Sequence, residues 1–384
     1  MAKKIVQKKK PSKKMVIPDC KHFTGYKPCF PGTTCYKKCV DHQPTGKKIL
    51  IVNLDAMGAV VQTTAMLPAI KRKYPDSHIS WITLKNAYRL LDNNLLLDAV
   101  YVWEPESWLI LQQMEFDIVY QTDKTKRSCA FGNTLKAKEK IGFGLNKNGK
   151  IVPLNKEAEY SYILGLDDDL KFHKNKLSGT QILQESMKLK FKRDEYVLPL
   201  SAEEQMFCEN YRSEHRLNDA KLVVGFNTGC SYLYQNKKMT IEQHVQLIET
   251  MHSMKGIRLV LVGGPEDTER NAEIVKRVGE NVLSTPTTEG VRRGICYENI
   301  CDVIITGDSF GMHVAIGLKK HVIAWFGLSC WNEIDLYDRG IKLIPEGLFC
   351  APCWKKQCPY NLECISMIDQ KIIVAEVKRV AAKK

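Results

Sequence analysis

Segment 306–327 combines polar and small residues in a pattern that suits an anionic ligand. It reads as the end of a strand, a tight polar turn, a helix and a further strand. Asp308 or Ser309 is expected to cap the helix, which we expect to begin near Gly311, so that free backbone N–H groups face a phosphate. Gly311 allows close approach of the backbone, and His313 lies in the first helical turn. A short motif of this kind alone more often marks a capped helix without a ligand.

The chain has 14 cysteines, which is a high number for a protein of a reducing compartment. Eight of them fall into two clusters. The C-terminal cluster, Cys350-x₂-Cys353-x₄-Cys358-x₅-Cys364, suits tetrahedral zinc or a single iron, and its spacing also allows a [4Fe–4S] cluster. The alternative is four free thiols. The N-terminal cluster is looser in spacing, and a second metal site, one shared site or two disulfides all stay open for it. Its members are Cys20, Cys29, Cys35 and Cys39. We expect both clusters to be structural, because they lie where no core can form.

Apolar runs alternate with helical spacing twice along the chain, which predicts two α/β units with parallel sheets. The expected division is a basic tail and Cys-rich segment at 1–46, one Rossmann-like domain at 47–215, a second Rossmann-like domain at 216–345, and a Cys-rich segment with a terminal helix at 346–384. Two such doubly wound domains leave a cleft at the carboxyl ends of their strands, where ligands bind.

Segments of the second predicted domain resemble glycosyltransferase family 9, the ADP-heptose heptosyltransferases. The quoted matches are Asn227-Thr228-Gly229, Lys237-Lys238 before Thr240, Gly263-Gly264-Pro265-Glu266-Asp267, the turn from Asp308 to His313, and Phe326-Gly327-Leu328-Ser329. The resemblance implies a GT-B architecture, with an acceptor domain at 47–215 and a nucleotide-sugar domain at 216–345. It also implies a terminal helix that crosses back to the first domain. It also implies that Lys237, or Lys238 in the other register, contacts the donor phosphate. The other implied donor-binding residues are Thr228, Asp267, Asp308, Ser309, Gly311, Met312 and His313. Met239 replaces the tryptophan that the family has at this position.

The first predicted domain departs from the family pattern at one important position. Residues 54–64 resemble the family's first loop and helix, but Ala59 stands where the family has its proposed catalytic aspartate. Alanine cannot accept a proton. Asp55 on the same turn, or Asp123 after the fourth predicted strand, is a candidate replacement, and Asp123 is slightly favoured. Capping of a turn by Asp55 and pairing of Asp123 with a neighbouring lysine are the structural alternatives.

The net charge of +14 arises partly from seven lysines in the first 14 residues, a block too charged and too poor in apolar residues to fold alone. A solvated tail is the simpler interpretation, and contact with an anionic membrane surface is the functional one. A nucleic-acid binder is not expected, because the cysteine spacing lacks that of zinc fingers and no basic recognition helix is evident. No apolar run is long enough for a membrane span, so a cytoplasmic protein, peripheral at the inner membrane face, is expected.

The resemblance to family 9 therefore implies an inverting glycosyltransferase. We expect it to move a heptose or similar sugar from an ADP-sugar to a lipopolysaccharide-core or other surface-glycan acceptor. Catalysis is expected to need no metal, with zinc or iron on the cysteines serving the structure alone. The family resemblance also associates iron with a related autotransporter heptosyltransferase group. The alternative, suggested by Ala59, is a catalytically silent protein that binds a nucleotide sugar.

Overall fold

The computed structural model describes residues 16–36 and 39–384, and its first half is built around a six-stranded sheet. The strands of this sheet are β1 (Lys48–Val52), β2 (His78–Thr83), β3 (Ala99–Val102), β4 (Glu115–Gln121), β5 (Lys136–Leu145) and β6 (Ile151–Pro153). The helices between and after them are α1 (Met57–Thr63), α2 (Met66–Lys73), α3 (Pro105–Gln113), α4 (Lys126–Thr134), α5 (Glu159–Leu164), α6 (Gly179–Ser186) and α7 (Ala202–Glu214). Strands β1 and β2 are almost wholly buried, as expected of apolar runs in a covered parallel sheet.

The second half repeats this plan with another six-stranded sheet. Its strands are β7 (Leu222–Asn227), β8 (Ile257–Val262), β9 (Leu283–Ser284), β10 (Val303–Gly307), β11 (His321–Trp325) and β12 (Gly340–Leu343). Its helices are α8 (Ile241–His252), α9 (Thr268–Val278), α10 (Val291–Asn299) and α11 (Phe310–Gly317), followed by α12 (Glu363–Ser366) and α13 (Gln370–Lys383).

Both sheets have the same strand order. The first runs β3-β2-β1-β4-β5-β6 and the second β9-β8-β7-β10-β11-β12. All pairs are parallel except β5 with β6, which are antiparallel. The order reverses between β1 and β4 and between β7 and β10, and ligands of open α/β sheets bind at such points. The α/β fold with two doubly wound sheets is thus as the sequence predicts.

Several elements have features that the apolar runs of the sequence do not reveal. The chain after β1 forms two helices rather than one, because it turns at Thr64 and Ala65 between α1 and α2. Strand β5 is ten residues long, and its first half carries mostly polar, exposed side chains. Strands β6, β9 and β12 are short and have only two to four residues each.

The terminal helix α13 packs on the second sheet. Its Ile373 and Val377 are fully buried in the core of that half, and Glu376 accepts a hydrogen bond from His321 Nε2 at 2.7 Å. The expectation that this helix crosses back to the first domain is therefore wrong, because its apolar stripe is already covered by the second domain.

The interior forms three apolar clusters. One covers the outer face of the first sheet and one the outer face of the second. The third is shared: it contains Val60 and Leu67 from the first half together with Ile295 and Val314 from the second. The two halves pack against each other through α1 with α11 and α7 with α10.

Within the described residues, the model has no helix that is both long enough and apolar enough to cross a membrane.

Candidate functional site

Asp123 lies at the point where the strand order of the first sheet reverses. Its carboxylate accepts a hydrogen bond from Asn53 Nδ2 and another from the Leu54 backbone N–H, both at 2.5 Å. Only 7% of the residue is exposed. Burial raises the pKa of Asp123 to about 6, although the Leu54 amide favours the charged form. The side chain is thus a buried carboxylate that changes protonation near neutral pH.

Asp55, on the loop that follows β1, is in a different environment. It forms an ion pair with Arg127 of α4, and both side chains are substantially exposed. Asp55 is close enough to Asp123 to contribute to the rise in its pKa. The two candidate carboxylates are therefore neighbours, but Asp55 already has a cationic partner.

The equivalent point of the second sheet is closed by a hydrogen-bonded set of small polar side chains. Asn227 Nδ2 at the end of β7 donates to Thr306 Oγ1 at 3.0 Å and to Ser309 Oγ at 2.8 Å. Ser309 caps α11 by accepting from the Met312 N–H at 3.4 Å. A β-carbon on Gly311 would lie 2.1 Å from Asn227 Nδ2, so glycine is required there for packing of the helix against β7. Of the two candidate caps, Ser309 is the one observed.

Lys237 and Asp308 form an ion pair at 2.6 Å beside this set, with both side chains mostly buried. Burial by itself would raise the pKa of Asp308, but the Lys237 ammonium holds it below its usual value. The Lys237 carbonyl accepts a hydrogen bond from Trp325 Nε1 at 2.8 Å, which fixes the lysine over the ends of β10 and β11. An ammonium at this position faces the anion site that the sequence predicts.

The neighbouring Lys238 points to a second carboxylate, Asp267, at 3.6 Å. Asp267 is buried and accepts a hydrogen bond from the Gly264 N–H at 3.0 Å, which closes the turn after β8. Gly229 packs directly on this carboxylate, since a β-carbon there would lie 2.0 Å from Asp267 Oδ2. Thr228 donates to Asn271 Oδ1 at 2.5 Å. The structure thus brings Thr228, Lys238 and Asp267 together, and the contacts of Asp267 hold the loops after β7 and β8 against each other.

His313 sits at the contact between the two halves. A β-carbon on Gly58 of α1 would lie 2.6 Å from His313 Cδ2, so that glycine permits the close approach of α1 and α11. The ring stacks on Tyr196 with centroids 6.0 Å apart. Burial lowers the pKa of His313 to about 4, which keeps the imidazole neutral at pH 7. Met312 next to it is fully buried in the shared core.

Two charged residues, Glu333 and Lys171, were not singled out from the sequence, and Lys124 was considered only as a neighbour of Asp123. Burial raises the pKa of Glu333, which follows β11, and Lys171, Lys124 and Asp308 all lie close enough to affect it. Burial also lowers the pKa of Lys124, the residue after Asp123. Glu333 is thus within electrostatic range of Lys124 in the first half and of Asp308 in the second. The position of Lys124 beside Asp123 was a signal for a place at the end of the first sheet. Glu333 ends a 3₁₀ turn and Lys171 lies in a single π-helical turn, and neither turn is long enough to show a periodicity in the sequence.

The four cysteines of the C-terminal cluster border one cavity of about 20 Å³. Gly327 and Leu328 also line it, and they belong to the turn at 326–329 after β11, called the signature turn below. A cavity of this size exceeds the roughly 10–15 Å³ that one water needs. All four are free thiols, and burial raises the pKa of Cys364 to about 11. Across 16–36 and 39–384, however, no group of three or more histidine, cysteine or acidic side chains is arranged to bind one metal ion. The thiols thus fit a metal in number, type and location, and binding would require them to move closer together.

The cysteines of the N-terminal cluster are also free thiols. Cys29 is exposed, and Cys20, Cys35 and Cys39 are partly buried. The lysine block at 1–14, for which membrane contact was considered, lies outside the described residues.

Comparisons with known proteins point to one family. The model of "Glycosyltransferase family 9 (heptosyltransferase)" matches residues 108–363. Lipooligosaccharide heptosyltransferase 2 of Campylobacter jejuni is 22% identical over 339 residues, which are 85% of this chain and 96% of that protein. The structure of Escherichia coli ADP-heptose LPS heptosyltransferase II is similar with a TM-score of 0.64 at 15% identity, covering 88% of this chain and 99% of that one. The iron-containing dodecameric glycosyltransferase TibC from enterotoxigenic E. coli gives a TM-score of 0.54 at 11% identity, covering 88% and 77%. Because the family model spans well over half of the sequence, the chain belongs to glycosyltransferase family 9 and is a glycosyltransferase.

Proposed function

We propose that this chain transfers a heptose or a similar sugar from an ADP-sugar, with inversion, to a lipopolysaccharide-core or other surface-glycan acceptor. The observation that carries the proposal is that a buried cation and a buried carboxylate lie at the carboxyl ends of the two sheets. Lys237 lies over the ends of β10 and β11, where it pairs with Asp308, and Asp123 follows the end of β4. The names of the Campylobacter and E. coli relatives support a heptose donor and a lipopolysaccharide or lipooligosaccharide acceptor.

In the proposed reaction, Asp123 takes the proton from the acceptor hydroxyl as the oxygen attacks the anomeric carbon. The bond from that carbon to the diphosphate oxygen breaks on the opposite face, so the configuration inverts and ADP leaves. Lys237 and the N–H groups at the start of α11 neutralise the charge that develops on the diphosphate. His313 is neutral and packs against Gly58, so it acts through position rather than charge.

The donor would lie along the ends of β7, β8 and β10. Thr228, Asp267, Asp308, Ser309, Gly311, Met312 and His313 form or support this surface. In this proposal the side chains perform the chemistry without a metal. Zinc or iron would be held by Cys350, Cys353, Cys358 and Cys364, where it would fix the loop; Cys20, Cys29, Cys35 and Cys39 are the candidate second site.

The test is a transfer assay with ADP-heptose and lipopolysaccharide cores of defined length. We expect a product of inverted anomeric configuration, identified by NMR. If the purified protein neither binds nor consumes any nucleotide sugar, the proposal fails.

Metal analysis of the same protein should find about one zinc or iron per C-terminal cluster, and Cys353→Ser combined with Cys364→Ser should lose it.

A binding-only protein is the second candidate, because Ala59 removes the family's proposed base. It would bind ADP-heptose and give no turnover with any acceptor. The peripheral membrane contact proposed for residues 1–14 is tested separately. Co-sedimentation with anionic vesicles should fall when the seven lysines are replaced by glutamine, and neutral vesicles serve as the control.

A further inference from the structure

The C-terminal cysteine loop, residues 350–364, is attached to the donor side of the cleft at two places. The backbone N–H groups of Cys353 and Trp354 both donate to the Leu328 carbonyl, at 3.0 and 2.9 Å. Asn236 Nδ2 donates to the Lys355 carbonyl at 2.8 Å. Leu328 belongs to the signature turn after β11, and Asn236 immediately precedes Lys237. The loop therefore borders the segment that presents the predicted phosphate-binding lysine.

Trp354 reaches from this loop to two lysines. The Lys237 ammonium lies 5.1 Å from the centroid of the indole ring, and the Lys171 ammonium lies 5.2 Å from it. Tyr234 packs edge-on against the same indole, with centroids 5.5 Å apart. Both distances are within the roughly 6 Å over which an aromatic face attracts a cation. A single aromatic side chain thus holds two cations that come from opposite halves of the chain.

The backbone of Trp354 is also unusual. Its φ is +51°, in the left-handed region that bulky residues rarely adopt. Its indole Nε1 is buried and lies near the Cys330 thiol without forming a well-aligned hydrogen bond. A strained backbone and a poorly satisfied buried donor both cost stability, and such features concentrate at functional sites.

Lys171 differs from the lysines around it in its partners. Lys237 has Asp308 at 2.6 Å, and Lys174 on the same turn has Asp169 at 2.5 Å. Lys171 has no carboxylate within 4.0 Å in the part of the chain that the structure describes. Glu333 is farther away but close enough for the Lys171 ammonium to oppose the rise that burial causes in the pKa of Glu333. A half-buried ammonium without an ion pair, close enough to the Lys124 ammonium to contribute to the lowering of the Lys124 pKa, favours an anion as its ligand.

We propose that Lys171 is a second cation for the donor diphosphate and that Trp354 is a positioning residue that aligns Lys171 with Lys237. The cysteine loop is then a wall of the donor site, and its integrity governs donor affinity. This inference rests on the proposed nucleotide-sugar donor. If Trp354 only packs the loop, replacing it would lower stability and leave affinity for the diphosphate unchanged in the folded protein.

The test measures binding of ADP and adenosine by calorimetry at two salt concentrations. We expect Lys171→Met to weaken ADP binding about tenfold, to leave adenosine binding unchanged and to reduce the salt dependence. Trp354→Leu should weaken ADP binding by a similar factor, and Trp354→Phe should stay within about threefold of wild type, because phenylalanine keeps an aromatic face. Lys174→Met is the control lysine on the same turn, and Tyr360→Leu is the control aromatic of the loop. Both should bind ADP as wild type does.

The outcomes separate this inference from the proposed function. If the wild type binds ADP and both Lys171→Met and Trp354→Leu bind it with unchanged affinity, this inference is overturned and the proposed function is not. Absence of ADP and ADP-sugar binding by the wild type would overturn the proposed donor and this inference together. If Trp354→Leu fails to fold, Lys171→Met still decides, since that partly exposed side chain makes no ion pair that its removal would break. In transfer assays, both variants should raise KM for the donor more than they lower kcat.

Discussion

Asp123 accepts hydrogen bonds from Asn53 and Leu54 and has a pKa of about 6, so it combines a fixed position with a readily exchanged proton. Asp123→Asn keeps the shape and removes the base. We expect kcat to fall by about 10²–10⁴-fold while affinity for the ADP-sugar stays within about threefold. Stopped product assays and calorimetry measure the two quantities. Asp55→Asn is the matched variant, and loss of kcat there instead of at Asp123 would assign the base to Asp55.

The raised pKa of Asp123 also sets a pH dependence. The base is active only when deprotonated, so kcat/KM should rise with pH and level off above a midpoint near 6. Measurement of kcat/KM from pH 4.5 to 8 checks this. A midpoint near 4, the ordinary range for a carboxyl, would contradict the assignment of a buried aspartate as the base.

At the scale of elements, the start of α11 is fixed by one glycine. Gly311→Ala would place a β-carbon 2.1 Å from Asn227 Nδ2 and break the contact between this helix and β7. We expect a loss of about 1–3 kcal/mol in the free energy of unfolding, measured with urea. Gly294 in α10 is the control, because a β-carbon there meets no atom within 4 Å. Gly294→Ala should be neutral or stabilise by up to about 1 kcal/mol. Equal effects at both positions would contradict the packing argument.

The sequence predicted the elements that present the donor side, because each motif follows an apolar run that can only be a buried strand. Asn227, Asp267 and Asp308 therefore lie at strand ends or in the turns that follow them. It did not predict Glu333 or Lys171. Glu333 lies in a one-turn 3₁₀ helix and Lys171 in a single π-helical turn, and their places depend on how the two halves pack rather than on local periodicity. The same reason explains α13, whose apolar stripe gives no indication of which domain covers it.

At the scale of the whole molecule, the shared core ties the two halves together. Val60 and Leu67 pack in one apolar cluster with Ile295 and Val314. We expect one calorimetric unfolding transition, with the van't Hoff enthalpy close to the calorimetric enthalpy, because neither half can expose this cluster without disrupting the other. Scans at two heating rates control for irreversibility. Two resolved transitions would show that the halves unfold independently.

The ion pair between Lys237 and Asp308 has one further consequence. In the free protein, the Asp308 carboxylate is paired with the Lys237 ammonium, which is the group that the proposed diphosphate would bind. Asp308 therefore competes with the donor for Lys237. When the diphosphate engages Lys237, the buried carboxylate loses its counter-ion and its pKa rises, which favours uptake of a proton. Donor binding is then coupled to protonation, and affinity should increase as the pH falls. Binding enthalpies measured in two buffers of different ionisation enthalpy would reveal the proton taken up. Because Asp308 balances the charge of Lys237, the anion site of the free enzyme stays neutral until a donor binds.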